Sequence, residues 1–298
     1  MPAWQDEDMD RYSPTVRRRR LGLALRRHRE AHGWTLEDAA TKLGVGPSQL
    51  SKYETADRNL PKPTLLLACS IYQISDPERA ELVDMHAQSR ARGWWQDLSI
   101  QPGTYVDFEA EATSIQSFDL GLIPGILQTD AYAEAIMSAT RPDATPKQLE
   151  DWRKVRTSRV ELLADDGPKV WSVIHEAALW TMVGGPEVMV EQLRHIAKLA
   201  ETRPGLEVQV LPFTSGQYAG MEGSFSILTF DELPSLGYTE GATSGVWLEK
   251  QKDITTLTHA FGLLISQALN QRKSLARLEK ITDWMAQGGR DLLEEVQP

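Results

Sequence analysis

The segment from Thr35 to Glu54 constrains the fold of this chain more than any other. Thr35 suits a helix N-cap, and Asp38 stands three residues later, the spacing of a capping-box relative in which each residue satisfies a free N–H of the other. Leu36, Ala39, Ala40 and Leu43 then recur on one side of a helix. Gly44-Val45-Gly46 breaks that helix. Pro47 follows, and proline suits a first helical turn because the N–H it lacks would have no partner there. A second short helix is predicted over Pro47–Thr55, with Leu50 and Tyr53 inward. Two short helices joined by a tight glycine turn are the sequence form of a helix-turn-helix. Helices are also predicted over Val16–Glu30, Thr64–Tyr72 and from Pro77 to about Arg90, so residues 14–92 read as one all-α domain. Residues 1–13 carry four acids and little periodicity, and read as a disordered tail.

The net charge of -10 argues at first against a polyanionic partner, but the mean hides an asymmetry. From Val16 to Lys62 there are eleven Lys/Arg against five acids, and from Gly93 to Pro298 seventeen against twenty-nine. Only the head has the basic surface that phosphates need. A single cysteine, Cys69, excludes a disulfide scaffold and a cysteine-rich metal module. No run of about 18 apolar residues is present, so no membrane span is predicted. Arg17–Arg20 followed by Leu21, Leu23, Ala24 and Leu25 imitates an export signal, yet Arg26, Arg27 and Arg29 cut the apolar part short. The expected address is the cytoplasm, on the nucleoid when bound to DNA.

Leu21-Gly22, Leu25-Arg26, Arg29-Glu30, Gly33-Trp34-Thr35, Ala39-Ala40, Leu43-Gly44-Val45 and Ser48-Gln49-Leu50-Ser51-Lys52-Tyr53-Glu54 resemble, in order and spacing, the Xre (phage-repressor-like) helix-turn-helix family. The resemblance implies a five-helix domain that binds double-stranded DNA. It makes Ser48, Gln49 and Lys52 the foremost base readers, and Arg29 with Glu54 an ion pair joining the first and third helices. The residues agree with it, because a recognition helix must offer short polar groups on its first turn to base edges in the major groove. Pro47, Ser48, Gln49, Ser51 and Lys52 are predicted on that exposed face, with Arg17, Arg18, Arg26, Thr35 and Arg58 around it at the DNA surface. Leu36 departs from the family, which often places a glutamine there as a phosphate clamp. His28 falls where the family presents an aliphatic residue, and a partly buried histidine is expected.

Beyond Gly93 the texture turns mixed, which predicts an α/β (α+β) domain over 93–298. Helices are predicted over Val106–Gln116, Thr129–Ala139, Trp152–Ala164, Pro186–Ala200, Asp253–Asn270 and Leu275–Gln287. Strands are predicted over Lys169–Ile174, Glu207–Leu211, Ser224–Phe230 and Leu236–Thr239. Gly93-Trp94-Trp95, Ile123–Thr129 with Tyr132-Ala133, His175-Glu176-Ala177-Ala178-Leu179, Gly184-Gly185 with Met189 and Gln192-Leu193, Val208–Phe213 and Gly223–Leu228 resemble the C-terminal domain of unknown function of actinobacterial-type regulators, a group described as antitoxin-like.

Catalysis finds little support. His175-Glu176 begins like a zinc-protease helix, but position 179 is Leu179, so the second histidine is absent. No P-loop, G-x-S-x-G or dinucleotide-binding glycine series occurs. No catalytic residue, metal or cofactor is expected. An apolar pocket pinned by few polar groups is the alternative use of an aromatic-rich domain, with Trp94, Trp95, Gln128, Thr129, His175, Glu176 and Gln217 as its candidates. The function expected is a sequence-specific transcriptional regulator, a homodimer on an inverted-repeat operator, whose body senses a small partner protein or a small-molecule effector. An antitoxin-like protein that neutralises a small partner is the variant, and an enzyme or cofactor binder with an attached DNA module is the rival. Leu257, Phe261, Leu264, Ile265, Leu269, Leu275, Leu278, Ile281 and Met285 recur at helical spacing as a candidate dimer surface.

Overall fold

The structure is a computed structural model and describes residues 16–90, 105–164, 167–231, 233–241 and 245–288. The tail at 1–13, the domain boundary at 92/93 and both Trp94 and Trp95 lie outside the described residues. The chain forms two compact units, Met1–Glu111 and Ala112–Pro298.

The first unit holds α1 (Val16–Ala31), α2 (Leu36–Leu43), α3 (Pro47–Glu54), α4 (Lys62–Ile71), α5 (Asp76–Arg90) and α6 (Tyr105–Glu111). The capping box at the start of α2 is complete: Thr35 Oγ1 accepts from Asp38 N at 3.2 Å, and Asp38 Oδ2 accepts from Thr35 N at 3.0 Å. Gly44 ends α2 in the left-handed region, φ 65°, where glycine carries no Cβ penalty. The core is Leu21, Leu25, Ala39, Ala40, Leu50, Tyr53, Leu65 and Tyr72, all buried. A Cβ on Gly22 of α1 would come within 2.5 Å of the Glu54 carbonyl oxygen and 2.7 Å of that of Tyr53, so the end of α3 crosses α1 at a distance only glycine permits. Helix α6 joins this unit through buried Phe108, whose ring lies 5.3 Å from the Arg19 guanidinium carbon, and through Glu111, 2.7 Å from Arg17.

The second unit is a mixed six-stranded sheet with helices, an α/β arrangement. Its elements are β1 (Ser114–Asp119), α7 (Asp130–Thr140), α8 (Pro146–Arg159), β2 (Lys169–His175), α9 (Glu176–Trp180), α10 (Pro186–Thr202), β3 (Leu206–Leu211), β4 (Phe225–Thr229), β5 (Leu236–Glu240), β6 (Gly245–Leu248), α11 (Gln251–Gln267) and α12 (Gln271–Ala286). The strand order is β3-β2-β1-β4-β5-β6. Strands β1, β2 and β3 run parallel, as helical crossovers require, whereas β4 pairs antiparallel with β1 and with β5, and β6 antiparallel with β5. Phe261 and Leu264 of α11 cover one face, over Phe118, Val173, Leu211, Phe225 and Ile227.

Three expectations need correction. The helix over 106–116 is α6 followed by β1. Strand β1 lies between β2 and β4 with Ile115 and Phe118 buried on opposite faces, and a short strand buried on both sides shows no alternation to distinguish it from a helix. The helix over 152–164 is the second half of α8, ended by a 3-10 turn at Val160–Leu163. The candidate dimer surface is largely consumed within the body: Phe261, Leu264, Leu278, Ile281 and Met285 are buried, and α12 packs on α10 and β3. That packing also closes the β3 edge, because Ser274 Oγ accepts from Val210 N at 2.9 Å and Leu269 N donates to the Val210 carbonyl at 2.9 Å.

Candidate nucleic-acid interface

Helix α3 presents its first turn outward because its two large side chains are anchored inward, Leu50 at 1% and Tyr53 at 3% exposure. Pro47, Ser48 and Lys52 are exposed. Gln49 and Ser51 are half-buried, less open than a fully solvated face would make them. The Gln49 carboxamide is not loose, since its Nε2 donates to the Tyr53 hydroxyl one helical turn on.

What holds α3 in place is the pair behind it. Arg29 Nε donates to Glu54 Oε1 at 2.7 Å and Nη2 to Oε2 at 2.8 Å, while Nη1 donates to the Trp34 carbonyl at 2.9 Å. One guanidinium thus ties α1, the turn before α2 and the end of α3. The bond to Glu54 is the main reason the Arg29 pKa is raised above its usual value. Two parallel charge-assisted bonds fix an orientation as well as a distance.

The basic residues divide into engaged and open groups. Arg17 pairs with Glu111 at 2.7 Å, and Arg18 Nη1 donates to Asn59 Oδ1 at 2.9 Å, with burial lowering the Arg18 pKa. Arg26 pairs with Glu30 one turn along α1, at 2.8 Å, with both side chains about half exposed. Thr35 is exposed, but its hydroxyl is used in the cap, where it donates to Asp38 Oδ2 at 2.7 Å. Arg58 is exposed, and its backbone N–H donates to the Lys52 carbonyl at 3.0 Å, which folds the loop after α3 back on the helix end. Lys42 lies 4.7 Å from the centre of the Trp34 ring. Asn59, the Arg18 partner, carries no sequence signal, since a lone loop asparagine matches no motif. His28 is half-buried and bonded to Glu78 of α5 through Nε2 at 2.7 Å.

The residues proposed for a pocket in the body serve distinct ends. Gln128 is spent at both ends of its amide, Nε2 donating to the Ile123 carbonyl and Oε1 accepting from Arg156, at 2.7 and 2.8 Å. Thr129 caps α7, and its N–H donates to Gln192 Oε1 at 2.7 Å. Both therefore stabilise the loop from Ile123 to Thr129. Fully buried Gln192, part of the resemblance, carried no sign of this role, because nothing in a helical repeat marks one glutamine as a loop clamp. Glu176 is buried and accepts from Phe213 N at 2.9 Å and from the Trp180 indole at 3.3 Å, with Arg277 Nε 3.5 Å away. Gln217 is exposed, and its carbonyl accepts from Gln267 at 3.2 Å. His175 caps α9 through Nδ1, which accepts from Ala177 N at 3.1 Å. Its ring lies 5.4 Å from Phe213 and 5.1 Å from Tyr218, and burial lowers its pKa.

Residues 102–280, more than half of the chain, match the family model described as a domain of unknown function, DUF5753. The chain belongs to the DUF5753 family. In this DUF5753 protein the family match begins ahead of α6, although α6 is part of the first compact unit. Residues 20–82 match the model of a helix-turn-helix domain, and they contain α2, α3 and the Arg29–Glu54 pair, so the head is a DNA-binding helix-turn-helix domain. Among solved structures, a match is the clp gene regulator ClgR from C. glutamicum, with 29% identity over 26% of this chain and 97% of that chain and a TM-score of 0.21. No curated protein matches the chain. Among the described residues, no helix is long and apolar enough to cross a membrane, and no three His, Cys, Asp or Glu side chains are grouped to hold a metal ion.

Proposed function

We propose that this DUF5753 protein is a sequence-specific transcriptional regulator in which α3 reads base edges in the major groove and the body receives a signal. The observation that carries the reading is the outward first turn of α3, with Ser48 and Lys52 exposed, on a helix locked from behind by the buried Arg29–Glu54 pair. A rigid support matters because base contacts discriminate only when donors and acceptors arrive in register. One head offers three or four reading side chains, few for choosing a site in a genome, so the protein works as a homodimer on an inverted repeat. Selection of duplexes from a randomised pool by the full chain tests this: an inverted repeat with half-sites about one helical turn apart supports it, and an unenriched pool refutes it.

The signal enters at the carboxyl ends of β1, β2 and β3, where open α/β sheets take their ligands. Leu122 after β1, Met182 after α9, Phe213 after β3 and Met221 before β4 are 43%, 43%, 56% and 61% exposed, although each is a large apolar side chain. Because β4 runs antiparallel to β1, all four loops gather at that end of the sheet. This edge receives either an effector or the small partner protein of an antitoxin-like pair.

A further inference from the structure

We propose that Tyr53 is a positioning residue for base reading: its hydroxyl holds the Gln49 carboxamide in place on α3 before the amide meets the base. The proposal rests on α3 being the base-reading helix.

Tyr53 has two jobs that separate by atom. Its ring is buried in the core with Leu21, Leu25 and Leu50, which accounts for an aromatic residue at this position. Its hydroxyl does something else, accepting from Gln49 Nε2 at the half-buried border of the recognition surface. Residues four apart lie one above the other on a helix, so the contact needs no distortion of α3. A primary amide has two N–H donors and one oxygen. Tyr53 takes one N–H, which leaves Gln49 Oε1 and the second N–H as an adjacent acceptor and donor. Adenine presents the complementary pair in the major groove, N6–H and N7. The tether therefore consumes none of the groups that reading needs. It also holds the amide in one place and plane on the helix surface, whereas an untethered glutamine samples several rotamers. Ordering a glutamine on binding has an entropic cost, and a side chain ordered beforehand avoids part of it. Neither the Ser48 hydroxyl nor the Lys52 ammonium has a side-chain partner among the described residues, so Gln49 is the reader that arrives preset.

The test uses the full chain and four forms: wild type, Gln49→Ala, Tyr53→Phe and the double variant. Each selects from a randomised duplex pool, and equilibrium competition then measures preference at every position of the recovered site. Wild type prefers A·T at one position per half-site by at least about fivefold. Gln49→Ala flattens that position. Tyr53→Phe, which keeps the buried ring, is expected to lower the preference there at least twofold, to leave the other positions unchanged and to melt with the wild type. In the double variant the position is as flat as in Gln49→Ala alone. Full preference retained by Tyr53→Phe overturns the proposal, as does a loss spread over all positions together with a lowered Tm, which marks a structural role only. A further loss on adding Tyr53→Phe to Gln49→Ala also overturns it, because the hydroxyl would then act without the amide. If Gln49→Ala flattens no position, base reading by Gln49 itself has failed, and the tether with it.

Discussion

Arg29 of α1 and Glu54 at the end of α3 meet through two parallel hydrogen bonds, 2.7 and 2.8 Å long, with 8% and 9% of each residue exposed. The pair spans 25 residues of sequence and joins α1 to the end of α3. A buried pair of charges adds little over an apolar pair of the same shape, but removing one partner strands the other in a poor solvent. Glu54→Ala should therefore destabilise the head by about 3–5 kcal/mol. Denaturant unfolding of the variant checks this, and an unchanged midpoint together with altered operator choice would show that Glu54 serves DNA and not the fold.

Gly22→Ala should destabilise the same unit. The added Cβ meets two backbone carbonyl oxygens, of Tyr53 and Glu54, and backbone cannot rotate aside as a side chain can. The cost expected is about 1–3 kcal/mol, the range for overpacking, with a loss of DNA binding as α3 is pushed off α1. A Gly22→Ala protein as stable as wild type, by thermal melting, contradicts the close approach.

Acid should weaken the body before carboxylates protonate. Burial lowers the pKa of His175 and of His195 below the ordinary 6.5, so below pH 6.5 the unfolded chain binds protons that the folded chain refuses. Stability is then greatest above pH 6.5 and declines as pH falls through and below it. His175→Asn keeps an acceptor for the Ala177 N–H and removes the titrating ring. Its unfolding midpoint, followed from pH 8 to 5.5, should fall less than that of wild type, and equal slopes refute the assignment.

Much of the head was legible in the sequence. Thr35, Asp38, Gly44 and Pro47 act within a few residues of themselves, and the cap, turn and helix start they specify are those of the structure. The body was less legible where long-range pairing decides. Strand β1 owes its conformation to β2 and β4, both more than 50 residues away, and β6, short and at an edge, has no alternation long enough to detect. The proposed pocket residues could be named but not placed. Gln128 and Thr129 are polar side chains in an apolar loop, which suggests a site, and only the positions of Arg156 and Gln192 show that they hold the loop itself.

The central claim is that α3 reads bases, and the ratio of operator to random-duplex affinity at one salt concentration tests it most directly. With full-length protein, Lys52→Ala should lower that ratio by about 1–3 kcal/mol without changing the Tm. Arg58→Ala, which removes a charge beside the helix, should weaken both affinities alike and reduce the salt slope by about one. A Lys52→Ala protein whose ratio equals that of the wild type would contradict the account, because specificity would then arise from a surface other than α3.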